Sequence, residues 1–599
     1  MKKLNKSISI TLFLMFFNVL FLFAGDGQID IAVLPYTISS SGSYIVTNNL
    51  KLSTTNTNGI TISVDNVILA LNGHTLIGPG KAVGTSGSAI FTSGTHYNIT
   101  VRNGIIRDWR GDGIGLSTCR NSKFEALQCY NNGGNGITVG DTSTVTGNNC
   151  RSNGSDGIHT DMGSTIVGNT CRGNTGDGIY AHFGSTVSGN TCYNNTECGI
   201  FTYTGSTVND NNCYGNISDG VKVVANCRVA GNNCITNGAV AGDGAGIHAT
   251  STSNQIIDNH CVGNDRGLDL DSANNVVSGN VLQENTVPVD AVANNQLDIL
   301  ISELPYTISM PGIYRLSGTL SLSTQDTNGI TITAENVTLD LNGQSLIGPG
   351  KAAGTTGSGV YVGGVNRHNF TIRNGIIRDW RLDGVNASEA HNVQIEALHC
   401  YNNGDDGMSV GAQCLIKDNT CTHNGDMGID TSSGYISGNT CSNNGSAGIS
   451  GNTGSNIINN TCNFNESAGI LGSFNGTVSG NTCSGNTLDG IKVYSGSTAR
   501  GNTCSDNDGD GIEVGHNCMI IENACFYNGS GTSDGAGINV TESDNSIEHN
   551  LVTGNDRGID CNPATGNYIA SNRASGNTTN YDIIGGNTQG TGDLANVSF

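Results

Sequence analysis

Cysteine recurs along this chain at a fixed interval, and that interval restricts the fold more than any other feature. Successive members are 21 residues apart in the series Cys129, Cys150, Cys171, Cys192, Cys213 and Cys234. A second series follows at Cys400, Cys421, Cys441, Cys462, Cys483, Cys504 and Cys525. A period near 20 residues indicates a solenoid, because one short repeat cannot bury its own apolar side chains and must stack on its neighbours.

Each repeat has the pattern of short β-strands. In the repeat that begins at Asp177, apolar residues alternate with polar ones at Ile179 and Ala181 and again near Val187, with Gly, Asn and Asp between them. Period-two alternation bounded by turn residues is typical of strands. One coil has room for about three short strands, so we predict an all-β fold, a right-handed parallel β-helix.

The turn residues carry two further predictions. The Gly of Asp-Gly-Ile and the Asn of Gly-Asn-Thr-Cys are expected at left-handed backbone angles, which Gly adopts freely and Asn tolerates. Coils stacked about 4.8 Å apart also bring equivalent side chains together. We therefore expect an amide hydrogen-bond ladder of Asn148, Asn169, Asn190, Asn211 and Asn232.

The cysteines are expected inside the coils as a stack of small apolar side chains. Neighbouring sulfurs in such a stack are close enough for some disulfides, so free and partly bridged thiols both remain open. No Cys-x-x-Cys pair occurs, and a column of thiols does not offer the tetrahedral set that a metal needs. No metal site is predicted from the cysteines.

The N-terminus has the pattern of a secretory signal peptide, predicted over residues 1–25. Lys2, Lys3 and Lys6 precede an uncharged apolar run from Ile8 to Phe23, which is shorter than a spanning helix needs. The remainder has about 23 basic and 49 acidic residues, which disfavours nucleic acid as a partner. We expect a secreted or cell-surface protein with no integral membrane segment in its mature chain.

The chain contains two copies of one lobe. Leu34-Pro35-Tyr36 returns as Leu304-Pro305-Tyr306, and the segment 102–110 returns unchanged at 373–381. The predicted division is lobe one at 26–282, a linker at 283–297 and lobe two at 298–599. Lobe two is expected to have one additional coil, and each Leu-Pro-Tyr segment is expected to be an N-terminal cap over an open strand edge.

Three elements carry a family resemblance: the segment from Leu71 to Gly80, the segment from Asn98 to Gly104, and the repeated Asp-Gly-Ile. Together they resemble the secreted right-handed β-helix repeat proteins of the pectin-lyase-like superfamily over nearly the whole chain. The resemblance implies the fold. It leaves the activity open, because that superfamily includes lyases, hydrolases, epimerases and non-catalytic surface proteins.

The catalytic motifs of that superfamily are mostly missing. Polygalacturonase-like hydrolases combine an Asp pair with Gly-His-Gly and Arg-x-Lys, and this chain has only the pair Asp405-Asp406. No proline follows an Arg by two positions, as in pectate-lyase-like enzymes, and no Asp-Pro occurs, as in alginate-epimerase-like proteins. These absences weigh against an enzyme without deciding the question.

Two columns of outward-facing residues distinguish lobe one from lobe two. Aromatic residues occur directly after the Asp-Gly-Ile position of each repeat and again two residues further on. Tyrosines and arginines occur directly after the ladder cysteines. The ligand-binding candidates are His159, Tyr180, Phe201, Tyr203, Tyr130, Arg151, Arg172, Tyr193 and Tyr214. Rings and guanidinium groups at this spacing suit sugar rings and uronate carboxylates. The alternative is that they only cover a β-face, where both residue types have good strand propensity.

Two weaker candidates complete the set. Asp161 and His182 are expected on adjacent coils, where a carboxylate and an imidazole could act in acid–base chemistry, although chance adjacency explains the pair as well. Two loops interrupt the period at 238–246 and 529–537, and their Asp243 and Asp534 are the only hint of Ca²⁺. No other cofactor is predicted.

The leading hypothesis is an exported protein that binds polysaccharide, anionic polymers included. The first alternative is a polysaccharide lyase or another carbohydrate-active enzyme with its site on lobe one. A structural spacer or adhesin is the second alternative.

Overall fold

The computed structural model describes residues 27–81, 87–238, 244–472, 474–529 and 535–598. Over these residues the chain forms 70 β-strands and one 3-10 turn, Gly592–Leu594. The predicted signal peptide lies outside the described residues. Within them, no helix combines the length and apolar character that a membrane crossing requires.

One coil shows how the repeat folds. Strands Ile179–Ala181, Thr186–Ser188 and Thr191–Tyr193 follow one another around the coil, and each pairs in parallel with the equivalent strand of the next coil. In Ile179–Ala181 the two outer residues are buried, whereas in Thr186–Ser188 and Thr191–Tyr193 the middle residue is buried. Both arrangements follow from period-two alternation along a strand. The predicted all-β right-handed parallel β-helix is confirmed.

The strands belong to three sheets. A 12-stranded sheet in lobe one contains Tyr36–Ile38, Ile60–Ile62, Ile90–Thr92, Ile114–Leu116, Ile137–Val139, Ile158–Thr160, Ile179–Ala181, Ile200–Thr202, Val221–Val223, Ala245–Ala249, Arg266–Leu270 and Val287–Ala291. A 13-stranded sheet in lobe two contains Tyr306–Ile308, Ile330–Ile332, Val360–Val362, Val385–Ala387, Met408–Val410, Ile429–Thr431, Ile449–Gly451, Ile470–Leu471, Ile491–Val493, Ile512–Val514, Ala536–Val540, Arg557–Cys561 and Thr579–Ile583. The sheet of lobe two thus has one strand more than that of lobe one, as the expected additional coil requires.

The third sheet has 45 strands and covers the other two sides of every coil. In lobe one it contains Gln28–Ile31, Gly42–Val46, Leu50–Lys51, Val67–Ala70, Thr75–Ile77, Ile99–Arg107, Lys123–Tyr130, Thr144–Thr146, Asn149–Arg151, Thr165–Val167, Thr170–Arg172, Thr186–Ser188, Thr191–Tyr193, Thr207–Asn209, Asn212–Tyr214, Arg228–Ala230, Asn233–Ile235, Gln255–Ile257, His260–Val262 and Val276–Gln283. From the junction onward it contains Gln296–Ile301, Gly312–Leu316, Leu320–Ser321, Val337–Asp340, Ser345–Ile347, Arg367–Arg378, Ala390–Tyr401, Cys414–Lys417, Thr420–Thr422, Gly434–Ser437, Thr440–Ser442, Asn456–Ile458, Thr461–Asn463, Thr477–Ser479, Thr482–Ser484, Thr498–Arg500, Thr503–Ser505, Met519–Ile521, Ala524–Phe526, Ser546–Glu548, Leu551–Thr553, Tyr568–Ala570, Arg573–Ser575, Thr588–Gln589 and Val597–Ser598.

The cysteine series line the interior, as predicted. Cys150 pairs in register with Cys171, which pairs with Cys192 on the next coil, and all three are fully buried. All 20 cysteines are free thiols. All except Cys198, which lies in an Asp-Gly turn, are small core side chains in the same cluster as the stacked Ile and Val side chains of the other two sides.

The predicted asparagine ladder is confirmed and has a counterpart that the sequence analysis missed. Nδ2 of Asn169 donates to Oδ1 of Asn190 at 3.0 Å, and the bond repeats from coil to coil. A second ladder runs through the turn after each cysteine, where Nδ2 of Asn174 donates to Oδ1 of Asn195 at 3.0 Å. The side chains of both ladders also form hydrogen bonds with the buried backbone N–H and C=O groups of the turns, which would otherwise have no partners.

The predicted reason for the turn residues is wrong. In the turn before Asn190 it is Gly189 that has a left-handed φ of 62°, and neither Asn190 nor Gly178 of Asp-Gly-Ile is left-handed. Gly178 is required for space, because a Cβ there would lie 2.5 Å from the carbonyl oxygen of Gly199. Asn190 is required for its ladder bonds.

The predicted linker at 283–297 contains paired strands. Val287–Ala291 is the last strand of the 12-stranded sheet, and Gln296–Ile301 pairs on one side with Val276–Gln283 and on the other with Gly312–Leu316. The 45-stranded sheet therefore continues across the segment. Only the side of the coil formed by the strands that follow Asp-Gly is interrupted there. That side therefore consists of two sheets, of 12 and 13 strands.

Each Leu-Pro-Tyr segment leads into the first strand of its own sheet, and the predicted cap over an open strand edge is contradicted in lobe two alone. Tyr36–Ile38 and Tyr306–Ile308 are the first strands of the 12-stranded and 13-stranded sheets. In lobe two this coil lies inside the stack, because the preceding strand Gln296–Ile301 is paired on both edges.

Candidate functional site

The Tyr/Arg column is the set of residues that follow the ladder cysteines of lobe one: Tyr130, Arg151, Arg172, Tyr193 and Tyr214. They are direct register partners on successive coils of the 45-stranded sheet. Because the cysteine before each one is buried, the next side chain points outward. The structure thus brings all five together in one file.

Neighbours in the Tyr/Arg column contact one another. The guanidinium carbon of Arg151 lies 3.9 Å from the centre of the Tyr130 ring, and that of Arg172 lies 6.0 Å from the centre of the Tyr193 ring. The rings of Tyr193 and Tyr214 are stacked, with centroids 4.6 Å apart and planes 7° apart. Among the described residues, neither Arg151 nor Arg172 forms an ion pair with a carboxylate. Two cations therefore stand uncompensated on an acidic protein with a net charge of −23.

The aromatic column is the set His159, Tyr180 and Phe201, which are register partners on the 12-stranded sheet, together with Tyr203, which directly follows the strand Ile200–Thr202. The rings of His159 and Tyr180 are stacked at 4.4 Å, and Tyr180 meets Phe201 edge to face at 5.3 Å. The hydroxyl of Tyr180 donates to that of Tyr203 at 3.0 Å. These rings pack mainly on one another, so they form a half-buried ribbon with part of each face turned to solvent.

The two columns lie on different sides of the coil. The aromatic column belongs to the 12-stranded sheet, the Tyr/Arg column belongs to the 45-stranded sheet, and the turn at 194–199 separates Tyr193 from Ile200. The nine ligand-binding candidates therefore form two surfaces on lobe one.

The catalytic candidates Asp161 and His182 occupy equivalent positions after paired strands of adjacent coils. His182 packs against the rings of Tyr203 and Phe183, at 4.7 and 4.5 Å. Its Nδ1 atom is buried without a hydrogen-bond partner among the described residues. Burial, together with Asp141, raises the pKa of Asp161 from its ordinary value. The pair is thus adjacent, and the ring contacts of His182 account for its position.

A row of aspartates borders the aromatic column in the Asp-Gly turns. Asp156 accepts a hydrogen bond from the His159 ring at 3.0 Å, and the backbone N–H of Cys198 donates to Asp177 at 2.8 Å. Burial, reinforced by the neighbouring Asp156 carboxylate, raises the pKa of Asp177 to about 8. The row is a chain of backbone-bonded carboxyl groups along one edge of the ribbon.

His248, which the repeat spacing does not predict, continues the aromatic column beyond Lys222. Its Nδ1 lies 3.0 Å from Asp219 and its Nε2 lies 3.0 Å from Asp271. Burial disfavours its protonation, but the two carboxylates outweigh that effect and raise the pKa of His248 to about 9. The loop insertion before His248 breaks the 21-residue period. Beyond the insertion, Ile247 and Ala249 repeat the apolar alternation of Val221 and Val223, and this alignment places His248 beside Lys222.

His248, Arg266, Asp269 and Asp290 line a surface depression of about 380 Å³. Arg266 bridges the two aspartates, at 3.4 Å from Asp269 and 2.9 Å from Asp290. Lobe two repeats most of this constellation with Asn539 in the place of His248, where it donates to Asp510 at 2.7 Å. The titratable ring is therefore particular to lobe one.

In the part of the chain that the structure describes, three groups of residues bring possible metal-ligand atoms within 4.8 Å of one another: His248 with Asp269 and Asp271, Asp405 with Asp406 and Asp426, and Asp489 with Asp510 and Glu513. The Asp405-Asp406 pair belongs to the second group, and burial raises the pKa of Asp406 to about 8. The Ca²⁺ candidates Asp243 and Asp534 lie outside the described residues.

Comparison with known families identifies the architecture. Four overlapping segments, 36–186, 88–233, 322–473 and 358–503, match the family described as right handed beta helix region. The chain belongs to this right-handed β-helix family. Residues 450–591 of the β-helix also match the family described as periplasmic copper-binding protein (NosD). No curated protein matches the sequence significantly.

Solved structures share low sequence identity with the β-helix. The Dettilon tailspike protein has 15% identity and a TM-score of 0.35, over 45% of this chain and 63% of that one. The A-module of the Azotobacter vinelandii mannuronan C-5 epimerase AlgE4 has 13% identity and a TM-score of 0.28, over 63% and 90%. A double mutant of the periplasmic alginate epimerase AlgG has 11% identity and a TM-score of 0.20, over 74% and 77%. The chain thus spans less than two thirds of the tailspike's length.

Proposed function

We propose that this β-helix is an exported protein that binds an anionic polysaccharide along the Tyr/Arg column of lobe one. The observation that carries the proposal is the pair Arg151 and Arg172, two guanidinium groups with no carboxylate partner among the described residues, flanked by stacked tyrosines. Export is supported by the predicted signal peptide and by the match to a family described as periplasmic.

The chemistry of the column suits a uronate polymer. A guanidinium group pairs with a carboxylate through two parallel hydrogen bonds, and a tyrosine ring covers the apolar face of a sugar. Residues on successive coils are about 4.8 Å apart, so five residues extend along roughly 20 Å of a straight surface. An elongated chain of sugars can follow such a file over several units.

Lobe two supplies the internal comparison. The residues that follow its ladder cysteines are Tyr401, Thr422, Ser442, Asn463, Ser484 and Ser505. They stand in the same register on the same sheet, but they have neither the arginines nor the tyrosine stack. The two lobes thus have the same strand pairing at these positions, and they differ in the side chains that would contact a ligand.

Affinity electrophoresis through gels that contain polygalacturonate, alginate or neutral dextran tests the proposal. We expect retardation by at least one uronate polymer, weakened by added salt because exposed charge pairs are screened. Arg151→Ala and Arg172→Ala should each reduce it, whereas Thr422→Ala and Ser442→Ala in lobe two should leave it unchanged. Equal mobility in every gel, or equal losses from the lobe-two variants, would contradict the proposal.

A second candidate is chemistry at His248 on a polysaccharide bound along the other surface, that of the aromatic column. The depression that His248 shares with Arg266 lies on the aromatic column, four coils from His159. Because its pKa is raised to about 9, the ring holds a proton at neutral pH and could donate it to a bound sugar. A lyase would release unsaturated products with ultraviolet absorbance. His248→Asn, the residue present in lobe two, should abolish any such signal.

A further inference from the structure

We propose that His248, Asp269 and Asp271 bind a divalent transition-metal ion such as Zn²⁺ in the depression on lobe one. The Nε2 atom of His248 lies 3.0 Å from a carboxylate oxygen of Asp271 and 3.9 Å from one of Asp269. Two ligand atoms on one tetrahedral Zn²⁺ are about 3.3 Å apart, because each bond is about 2.0 Å long. The three side chains therefore already have the separation that a shared cation requires.

The other nitrogen of the ring is held by a carboxylate. Nδ1 of His248 lies 3.0 Å from Asp219, whose side chain is buried and also accepts from the backbone N–H of Ala245 at 2.8 Å. A metal-ligating histidine ordinarily donates its second N–H to a carboxylate or carbonyl group, which fixes the ring and leaves the first nitrogen for the metal. Asp219 thus positions His248 with Nε2 directed toward Asp269 and Asp271.

The charge of the surroundings matches a divalent cation. In the described part of the chain, four carboxylates and two basic side chains stand at the site: Asp219, Asp269, Asp271, Asp290, Lys222 and Arg266. With a neutral imidazole, two negative charges are therefore left over. One divalent ion neutralises them, and a bound ion of that charge is ordinarily the largest local charge in its site.

Lobe two keeps one part of this arrangement. Arg266 contacts Asp269 at 3.4 Å in lobe one, and Arg557 contacts Asp560 at 2.6 Å in lobe two. The aspartate–arginine pair therefore belongs to the coil that both lobes have in common, and it forms without a histidine beside it.

The two lobes differ at both of the other ligand positions. Asn539 takes the place of His248 as the register partner of the shared aspartate. Asn562 takes the place of Asp271, two residues after that aspartate. Imidazole and carboxylate groups are usual ligands of Zn²⁺, whereas amide side chains are not. Lobe one thus has a complete ligand set where lobe two has a single carboxylate.

The imidazole determines the class of ion. Ca²⁺ and Mg²⁺ are bound through oxygen ligands, whereas imidazole suits Zn²⁺ and its first-row neighbours. One nitrogen and two carboxylates provide three protein ligands and leave a fourth position for water. The depression of about 380 Å³ gives a solvated ion a path to all three side chains.

Isothermal titration with Zn²⁺ tests the proposal, with the visible absorption of Co²⁺ as a second readout. The titration is done at pH 8, because the cation has to displace the proton that the ring otherwise carries. The natural protein should bind one equivalent of Zn²⁺ more tightly than any further equivalents. His248→Asn and Asp271→Asn each introduce the residue that lobe two has at that position, and each should weaken this binding about tenfold or more. An excess of Ca²⁺ should not displace the bound Zn²⁺.

Three variants are the controls. His260→Asn removes an exposed imidazole elsewhere on lobe one, and Asp405→Asn removes a carboxylate from an all-aspartate group of lobe two. Both should bind Zn²⁺ as the natural protein does. Arg151→Ala should also retain the metal site, because that site does not involve the Tyr/Arg column. Loss of polysaccharide binding with retention of Zn²⁺, or the reverse, therefore separates this proposal from the proposed function.

Three results would overturn the proposal. The first is a natural protein that binds no Zn²⁺, which would leave His248 as an ion-pair partner of its carboxylates. The second is a His248→Asn variant that binds Zn²⁺ unchanged. The third is displacement by Ca²⁺, since that result indicates a site made of carboxylates alone. Circular dichroism spectra that are identical for all variants exclude misfolding as the cause of a loss.

Discussion

Asn190 donates from Nδ2 to Oδ1 of Asn211 at 2.9 Å, and the backbone N–H of Asn190 donates to the same oxygen at 2.9 Å. Asn211 makes both bonds to Asn232 on the next coil. Each amide thus closes its own turn and holds the next one, in a site that is almost completely buried.

Breaking this ladder should destabilise the coil. Asn190→Ala removes the oxygen that accepts from the Asn169 backbone N–H at 2.8 Å and from Asn169 Nδ2 at 3.0 Å, and it removes the donor to the Ile166 carbonyl at 3.0 Å. A buried group without its hydrogen bond costs about 1–3 kcal/mol, so we expect a loss of roughly 3 kcal/mol in unfolding free energy. Denaturant unfolding followed by circular dichroism measures it. Ser188→Ala, on the outward face of the adjacent strand, should change the midpoint little.

Glycine substitutions should separate crowding from backbone strain. Gly178→Ala places a Cβ 2.5 Å from the Gly199 carbonyl and 3.0 Å from the Cβ of Cys192, so we expect a cost of about 1–3 kcal/mol. Gly189→Ala meets no atom within 4 Å but has a φ of 62°, and it should cost about 1 kcal/mol. Gly318→Ala meets no atom within 4 Å and has no left-handed angle, so its melting temperature should be unchanged or slightly higher. Equal effects at all three positions would refute the explanation.

The thiols should be inert in the folded protein. All 20 cysteines are free and buried, and burial raises the pKa of thiols such as Cys171. A thiol reagent needs access to a thiolate, so we expect negligible reaction under native conditions and 20 equivalents in denaturant without reductant. A smaller count in denaturant would reveal disulfides.

Stability should fall as pH rises from about 4 to about 8. The pKa of Asp177 is about 8 in the fold against an ordinary 3.8, chiefly because of burial. Over that interval the folded protein binds more protons than the unfolded chain, so each rise in pH favours unfolding. Asp406 and Asp489, with pKa values raised to about 8 and about 7, act in the same direction.

Asp177→Asn should make the pH dependence shallower, because an amide does not titrate. The turn should stay intact, since the amide oxygen can still accept from the Cys198 N–H. Thermal unfolding midpoints measured between pH 4 and pH 8 check this. Asp210→Asn, at an exposed turn, should retain the slope of the natural protein. A midpoint that rises steadily with pH in the natural protein would be the opposite of the expected result.

The repeat spacing predicted much of this molecule. It placed Cys171 inside and Arg172 outside, and it anticipated the bonds from Asn169 to Asn190. These predictions succeed because parallel stacking puts every residue beside its counterpart one period away. The same spacing does not predict positions that follow a break in the period, and His248 is the main example, since the insertion before it shifts its number out of step with Lys222.

The sequence by itself determined the β-helix, its duplication, its buried thiols and the composition of the Tyr/Arg column, because all of these follow from a short period and from alternation along strands. Only the tertiary structure decided that the aromatic and Tyr/Arg columns lie on separate sides, and that Asp219 and Asp271 hold His248. The physical reason is that a period specifies which residues are neighbours along the axis. The angles of the turns and the contacts at each end of the stack depend on atoms far apart in the chain.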